Sequence, residues 1–244
     1  MPGLSVPRLE AWTRAHALFL LFAFAASLLV ERPWPVSLAA LVSFAVLLVR
    51  ERRSWADRLG TTLPNALTAL RVVIVAALAI GLHRAPGMLW GAVAIGIFIL
   101  DGLDGWLARR LGGASAFGAH FDMEADAFFV LAVDVELWMR GQLGVWILGT
   151  GLLRYLYVLC IYVVPGRGGE MPRSRLGRHA FTLLAIGLGA ALALPNALGA
   201  VAAALGSAAV VLSFARGFYW SYAPRSHRAA EVSVSAPPKS PAEE

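Results

Sequence analysis

Four aspartates stand close together in a chain that is otherwise poor in charge. The stretch reads Asp101-Gly-Leu-Asp104-Gly105-Trp-Leu-Ala108-Arg109, then eight residues, then Gly118-Ala-His-Phe-Asp122-Met-Glu-Ala-Asp126. At about 100° per residue, Asp101, Asp104, Gly105 and Ala108 share an arc of about 100° on one helix. Gly118, Asp122 and Asp126 share about 80° on the next. Both helices are apolar beyond these ends, and an ionised Asp at the centre of a membrane helix costs roughly 2.5–3.5 kcal/mol. Grouping four of them adds repulsion, so a positive partner is expected. Carboxylate oxygens suit hard cations such as Mg²⁺ or Mn²⁺, and four around one pocket could hold two. Arg109, beside them, offers a planar fork for a phosphate oxygen. Gly105, Ala108 and Gly118 remove bulk where a nucleotide or a neighbouring backbone would approach.

The elements that must carry these residues are membrane helices. Of 244 residues 59% are hydrophobic and only 15% charged, against about 25% charged in an ordinary soluble domain. Apolar blocks recur at 16–30, 35–49, 63–82, 86–100, 118–138, 143–164, 180–194 and 197–214, each near the roughly 17–25 residues of a spanning helix once flanking residues are recruited. The expected class is an all-α polytopic membrane bundle with eight spans. The loop 110–117, with Gly112-Gly113, is short enough to make the two aspartate helices antiparallel neighbours, their carboxylates converging near the inner surface. Pro and Gly mark the turns at 83–87, 140–142 and 194–196.

Three zones are expected: a two-span leader (1–59), a six-span core (60–217), and a tail (218–244) rich in Ser, Pro, Ala and Glu that lacks the apolar surface to fold. Arg8 and Arg14 before the first block resemble a secretory signal, but a second block follows across Glu31-Arg32-Pro33, the pattern of a helical hairpin. The net charge of +6 does not indicate nucleic acid. With the N-terminus inside, the arginines crowd the inner turns, as at Arg50, Arg52, Arg53, Arg109 and Arg110, while the outer turns hold Arg32, Arg84 and Arg140. That is the positive-inside bias, with attraction to anionic membrane lipids a secondary consequence. Cys160 is the sole cysteine, which excludes an internal disulfide or a cysteine metal site. His120 and His179 have no second His or Cys at ligand spacing. Asp134 and Glu136 lie farther along the same span and read as partners for Arg154 or Arg140.

The pattern Asp-x2-Asp-Gly-x2-Ala-Arg-x8-Gly-x3-Asp-x3-Asp resembles the CDP-alcohol phosphatidyltransferase family, with every specified position present. Upstream, Pro64-Asn65-Ala-Leu67-Thr68-Ala-Leu-Arg71 looks like the opening of that family's first core helix. The same three polar residues also read as ordinary capping and anchoring of a helix start. The resemblance implies a six-helix core, often homodimeric, with a cavity open to the cytoplasmic side of a bacterial inner membrane. It implies that Asp101, Asp104, Asp122 and Asp126 surround two divalent cations and that Asp126 is the general base. Asp104, Gly105, Ala108, Arg109 and Gly118, with Asn65 and Thr68, would bind the CDP moiety. The implied reaction moves a phosphatidyl group from CDP-diacylglycerol to a small alcohol and releases CMP.

The acceptor is less legible. Arg154, Arg173, Arg175 and Arg178 could bind the phosphate of a polyol phosphate, although positive-inside anchoring accounts equally for the loop arginines. Phosphatidylglycerophosphate synthases typically carry an Arg-Glu pair on the fourth core helix, where this chain has Leu153-Arg154-Tyr155-Leu156. Two other classes compete: an intramembrane Mg²⁺-dependent prenyltransferase, which places its acidic motifs far apart, and a secondary transporter, whose sites lie near the midplane.

Overall fold

A computed structural model describes residues 6–56, 59–81, 83, 85–112, 115–163, 175–194 and 196–222. Its described residues form helices α1 (Val6–Val30), α2 (Trp34–Arg50), α3 (Arg52–Trp55), α4 (Leu59–Gly81), α5 (Gly87–Arg110), α6 (Ala116–Met139), α7 (Trp146–Val163), α8 (Arg175–Ala193) and α9 (Ala197–Tyr222). Backbone polar groups in hydrocarbon must be satisfied within the segment, and helices do this residue by residue. The eight long helices fall on the eight apolar blocks, and the architecture is an all-α polytopic bundle with a two-helix hairpin before a six-helix core. Several helices outrun their blocks. α1 begins about ten residues early and α5 continues through Asp101 to Arg110, because helix propagation follows backbone hydrogen bonding rather than the apolar boundary.

Four of the helices, α1, α4, α8 and α9, are long and apolar enough to cross a membrane on composition alone. The apolar parts of α2, α5 and α7 are shorter. α6 fails such a test because Asp122, Glu124, Asp126, Asp134 and Glu136 lie on it. Packing explains its tolerance: residues 127–137 are buried on every face, so α6 meets protein where an outer helix meets lipid. It packs on α4 and α7, with lesser contacts to α8 and α2.

Among the described residues α5 packs on α4 and α8, and α6 packs on α4 and α7, so α4 is a shared neighbour of the two aspartate helices. From that position α4 brings Arg71 to the acidic face of α6. Gly112 ends α5 with φ +64, a left-handed conformation that glycine adopts without Cβ strain. On the other side Ser115 caps α6, its hydroxyl accepting from the Gly118 amide at 3.0 Å. The α8–α9 pair is joined at small residues; a Cβ on Gly206 would stand 2.6 Å from Leu184 Cα, a spacing that brings two backbones into direct contact.

Candidate active site

Asp122 and Asp126 lie one turn apart on α6, each bonded to the same guanidinium. Arg71 Nη1 donates to Asp122 Oδ1 at 3.1 Å and Nη2 donates to Asp126 Oδ1 at 2.6 Å. Arg71 is only 4% exposed, whereas Asp122 and Asp126 retain 24% and 18%. One buried cation thus holds two carboxylates that still reach solvent. A charge-assisted fork of this kind fixes rotamers as well as offsetting repulsion. The sequence leaves Arg71 open between a helix anchor and part of a family-like helix opening, and it names no partner for it. The signal that could have identified it is its register: Asn65, Thr68 and Arg71 recur at helical spacing, so one polar face of α4 must turn toward another helix.

The rest of that face is built inward. Asn65 and Thr68 are buried; Asn65 Nδ2 donates to the Thr61 carbonyl at 2.7 Å and Thr68 Oγ1 to that of Pro64 at 3.2 Å. These bonds run to the preceding turn of α4, where Pro64 interrupts the normal ladder. Gly118 faces Asn65. A Cβ there would stand 3.1 Å from Asn65 Oδ1 and 3.2 Å from Ser115 Oγ, so the absent side chain permits α4 and α6 to approach.

Asp101, Asp104, Gly105, Ala108 and Arg109 all lie on α5 at its end nearest α6, and their side-chain placement is outside the described residues. Arg173 is outside them entirely, as is the tail beyond Tyr222, and Arg175 opens α8 with its side chain likewise outside. Arg178 is exposed on the first turns of α8. Arg154 is buried on α7 and donates from Nη2 to Glu124 Oε1 at 2.5 Å. The glutamate absent beside Arg154 in sequence is therefore supplied in space by α6. Glu136 pairs with Arg140 at 2.6 Å, as its spacing suggested. Asp134 pairs with neither arginine: it is fully buried, directed at the backbone of Gly151 on α7.

Among the described residues no three acidic or histidine side chains converge to hold an ion. The donor chemistry nevertheless fits a hard divalent cation, since Asp122 and Asp126 present carboxylate oxygens that keep partial exposure.

Comparison with known proteins agrees with this geometry. The CDP-alcohol phosphatidyltransferase family pattern matches residues 61–215. Proteins of Mycobacterium tuberculosis strains CDC 1551 and H37Rv, each named as a probable phosphatidylglycerophosphate synthase, are 32% identical over 162 residues, 64% of this chain and 78% of theirs. A Mycobacterium bovis protein named as a candidate cardiolipin synthase is 32% identical over 95 residues, 38% of this chain and 45% of its own. No solved structure matches the chain. Family pattern, relatives and an acid-bearing helix inside an apolar bundle converge: the chain belongs to the CDP-alcohol phosphatidyltransferase family and is a membrane-embedded phosphatidyltransferase.

Proposed function

We propose that the chain transfers the phosphatidyl group of CDP-diacylglycerol to a polyol phosphate, with CMP as the leaving group. The observation that carries the reading is the pair Asp122 and Asp126, partly exposed and set by a buried Arg71 within a helix that protein surrounds. Asp101 and Asp104, with Asp122 and Asp126, are the residues that would hold two Mg²⁺ or Mn²⁺ ions. Such ions screen a diphosphate and stabilise charge on a departing phosphate. Gly105, Ala108, Arg109 and Gly118, with Asn65 and Thr68, are the residues that would bind the CDP moiety.

The chain's own residues supply orientation and a proton acceptor. The acceptor hydroxyl oxygen forms a new bond to the lipid-side phosphorus, and the bond from that phosphorus to the CMP oxygen breaks. The hydroxyl proton passes to a carboxylate oxygen of Asp126, and the electron pair leaves with CMP. Arg71 holds Asp126 by Oδ1, which limits its rotamers before substrate arrives. Acyl chains stay in the bilayer while the headgroup reaches the helix ends. The arginine bias supports a cytoplasmic active site in a bacterial inner membrane, and the family resemblance supports a homodimer with residues 60–217 as its catalytic unit.

A phosphorylated glycerol is the first acceptor we propose, a reading supported by the name phosphatidylglycerophosphate synthase carried by relatives. Arg178, exposed at the start of α8, and the neighbouring Arg173 and Arg175 would meet its phosphate. Arg154 is better placed as a brace for α6, since Glu124 occupies it. The deciding assay incubates purified protein with CDP-diacylglycerol, Mn²⁺ or Mg²⁺, and a panel including glycerol 3-phosphate, inositol phosphate and phosphatidylglycerol, measuring CMP and lipid product. Metal-dependent CMP release with glycerol 3-phosphate is expected. Pyrophosphate release from a prenyl diphosphate, without CMP from any acceptor, would reject the reading.

A further inference from the structure

The family pattern begins at residue 61, so it assigns nothing to the N-terminal hairpin. That hairpin nevertheless reaches the aspartate helix. Thr13 Oγ1 on α1 lies 2.6 Å from His120 Nε2 on α6, two residues before Asp122. The same hydroxyl reaches the Leu9 carbonyl at 3.0 Å, so Thr13 links the α1 backbone to the imidazole through one oxygen. Trp12 stands edge-on to the same imidazole, with ring centroids 6.4 Å apart.

The hairpin is itself locked. Trp12 Nε1 donates to the Ser43 carbonyl at 3.2 Å, and His16 Nδ1 meets Ser43 Oγ at 2.8 Å. From α2, Phe44 packs on Phe121 and Phe128 of α6, with centroids 5.6 and 6.2 Å away. One polar bond and two aromatic contacts thus grip α6 at His120 and Phe121 and again about two turns on at Phe128, on faces other than the one Arg71 holds. We propose that the hairpin is a positioning device, in which Thr13, through His120, sets the rotation of α6 that presents Asp122 and Asp126.

The requirement is geometric. A carboxylate about 5 Å from a helix axis moves by nearly 2 Å when the helix turns by about 20°. Misplacement of about 1 Å can already cost on the order of 100-fold in rate. Arg71 holds the aspartate face from α4 and Arg154 braces Glu124 from α7, while Thr13 adds a hold at His120, one turn before Glu124 and nearer the start of α6. Thr13 and His120 are positioning residues, with no contact to substrate assigned to them.

The proposal rests on the reading of Asp122 and Asp126 as cation ligands, so its test includes metal binding as well as turnover. Full-length Thr13→Val, Thr13→Ser and Ser27→Ala are compared with wild type in detergent. Free Mn²⁺ is counted by electron paramagnetic resonance, and kcat, KM and thermal midpoint are measured. Ser27 accepts from the Val36 amide at 3.0 Å in the outer turn of the same hairpin, so its loss loosens the hairpin away from α6. Thr13→Val should weaken Mn²⁺ binding and lower kcat by about ten-fold each, with KM for CDP-diacylglycerol at saturating metal unchanged. Thr13→Ser should restore both. Ser27→Ala should lower the midpoint only. Wild-type Mn²⁺ affinity in Thr13→Val overturns the proposal, as does an equal loss in Ser27→Ala. If wild type binds Mn²⁺ but releases no CMP, the transferase reading fails, while the Mn²⁺ comparison still decides this one. Wild type that does neither overturns both.

Discussion

Arg71 and Asp126 make different demands on the same bond. Replacing Asp126 by Asn keeps the shape and a hydrogen-bond acceptor but removes the proposed base, so turnover should vanish while the thermal midpoint stays near wild type. Full activity in that variant would remove Asp126 from its role. Arg71→Met does the reverse: it leaves two partly buried carboxylates without their shared cation, a loss of about 3 kcal/mol by analogy with broken buried pairs. The midpoint in EDTA should fall, and Mg²⁺ should recover more of it in the variant than in wild type. The Glu124–Arg154 pair, nearly inaccessible to solvent, calls for a double-mutant cycle. Glu124→Gln and Arg154→Met combined should destabilise less than the sum of their separate losses, with a coupling of about 1–3 kcal/mol. Additive effects would show that the pair contributes no coupling. At this scale the acidic signature was legible because aspartates are costly in a membrane and their spacing is helical. The partners were not. Glu124 follows Asp122 by about 200° of helix rotation, so it had to face away from the site, yet nothing in one sequence says that Arg154 waits there.

At the scale of helices, apolar blocks located all eight long elements, and turn residues at Glu31-Arg32-Pro33 and Arg140-Gly141-Gln142 lie between helices as expected. Neighbour relations were harder. A short loop keeps the facing ends of α5 and α6 near each other, but it does not reveal that both helices pack on α4. Membrane helix pairing depends on where small residues let backbones meet, and this makes a prediction for α8 and α9. Leucine at Gly206 would drive side-chain atoms into the Leu184 backbone, which a Cβ already approaches to 2.6 Å. Overpacking of this kind costs about 1–3 kcal/mol or more, and the detergent-solubilised midpoint should drop by several degrees. Gly149→Ala on α7 is the control, because a Cβ there meets nothing within 4 Å, and its midpoint should hold or rise. Equal losses in both variants would mean that close backbone approach is not what joins α8 to α9.

Across the whole molecule, the docking of the leader was invisible in sequence for a physical reason. Lipid tails and protein interiors are both apolar, so Trp12 and Phe44 facing protein look no different from Phe22 and Leu29 facing outward. Direction across the membrane is a separate property, carried by charge. Arg32 Nη1 lies 2.9 Å from His83 Nε2, and Arg140 Nη2 donates to the His83 carbonyl at 2.6 Å, which gathers three turns at one end of the bundle. The aspartate helix ends lie at the other, with Arg50, Arg52, Arg53 and Arg110. On the proposed orientation, the positive-inside rule would put the carboxylates on the cytoplasmic side and the His83 end outside. The single cysteine makes this measurable. In a Cys160→Ser background, Val145→Cys and Leu111→Cys place one thiol at each end, on residues 70% and 45% exposed. A membrane-impermeant maleimide applied to intact bacterial spheroplasts should label Val145→Cys and spare Leu111→Cys until the membrane is permeabilised. The opposite labelling would place the carboxylates outside, where cytoplasmic CDP-diacylglycerol could not reach them, and the proposed donor would have to be abandoned even if the helices pack as described.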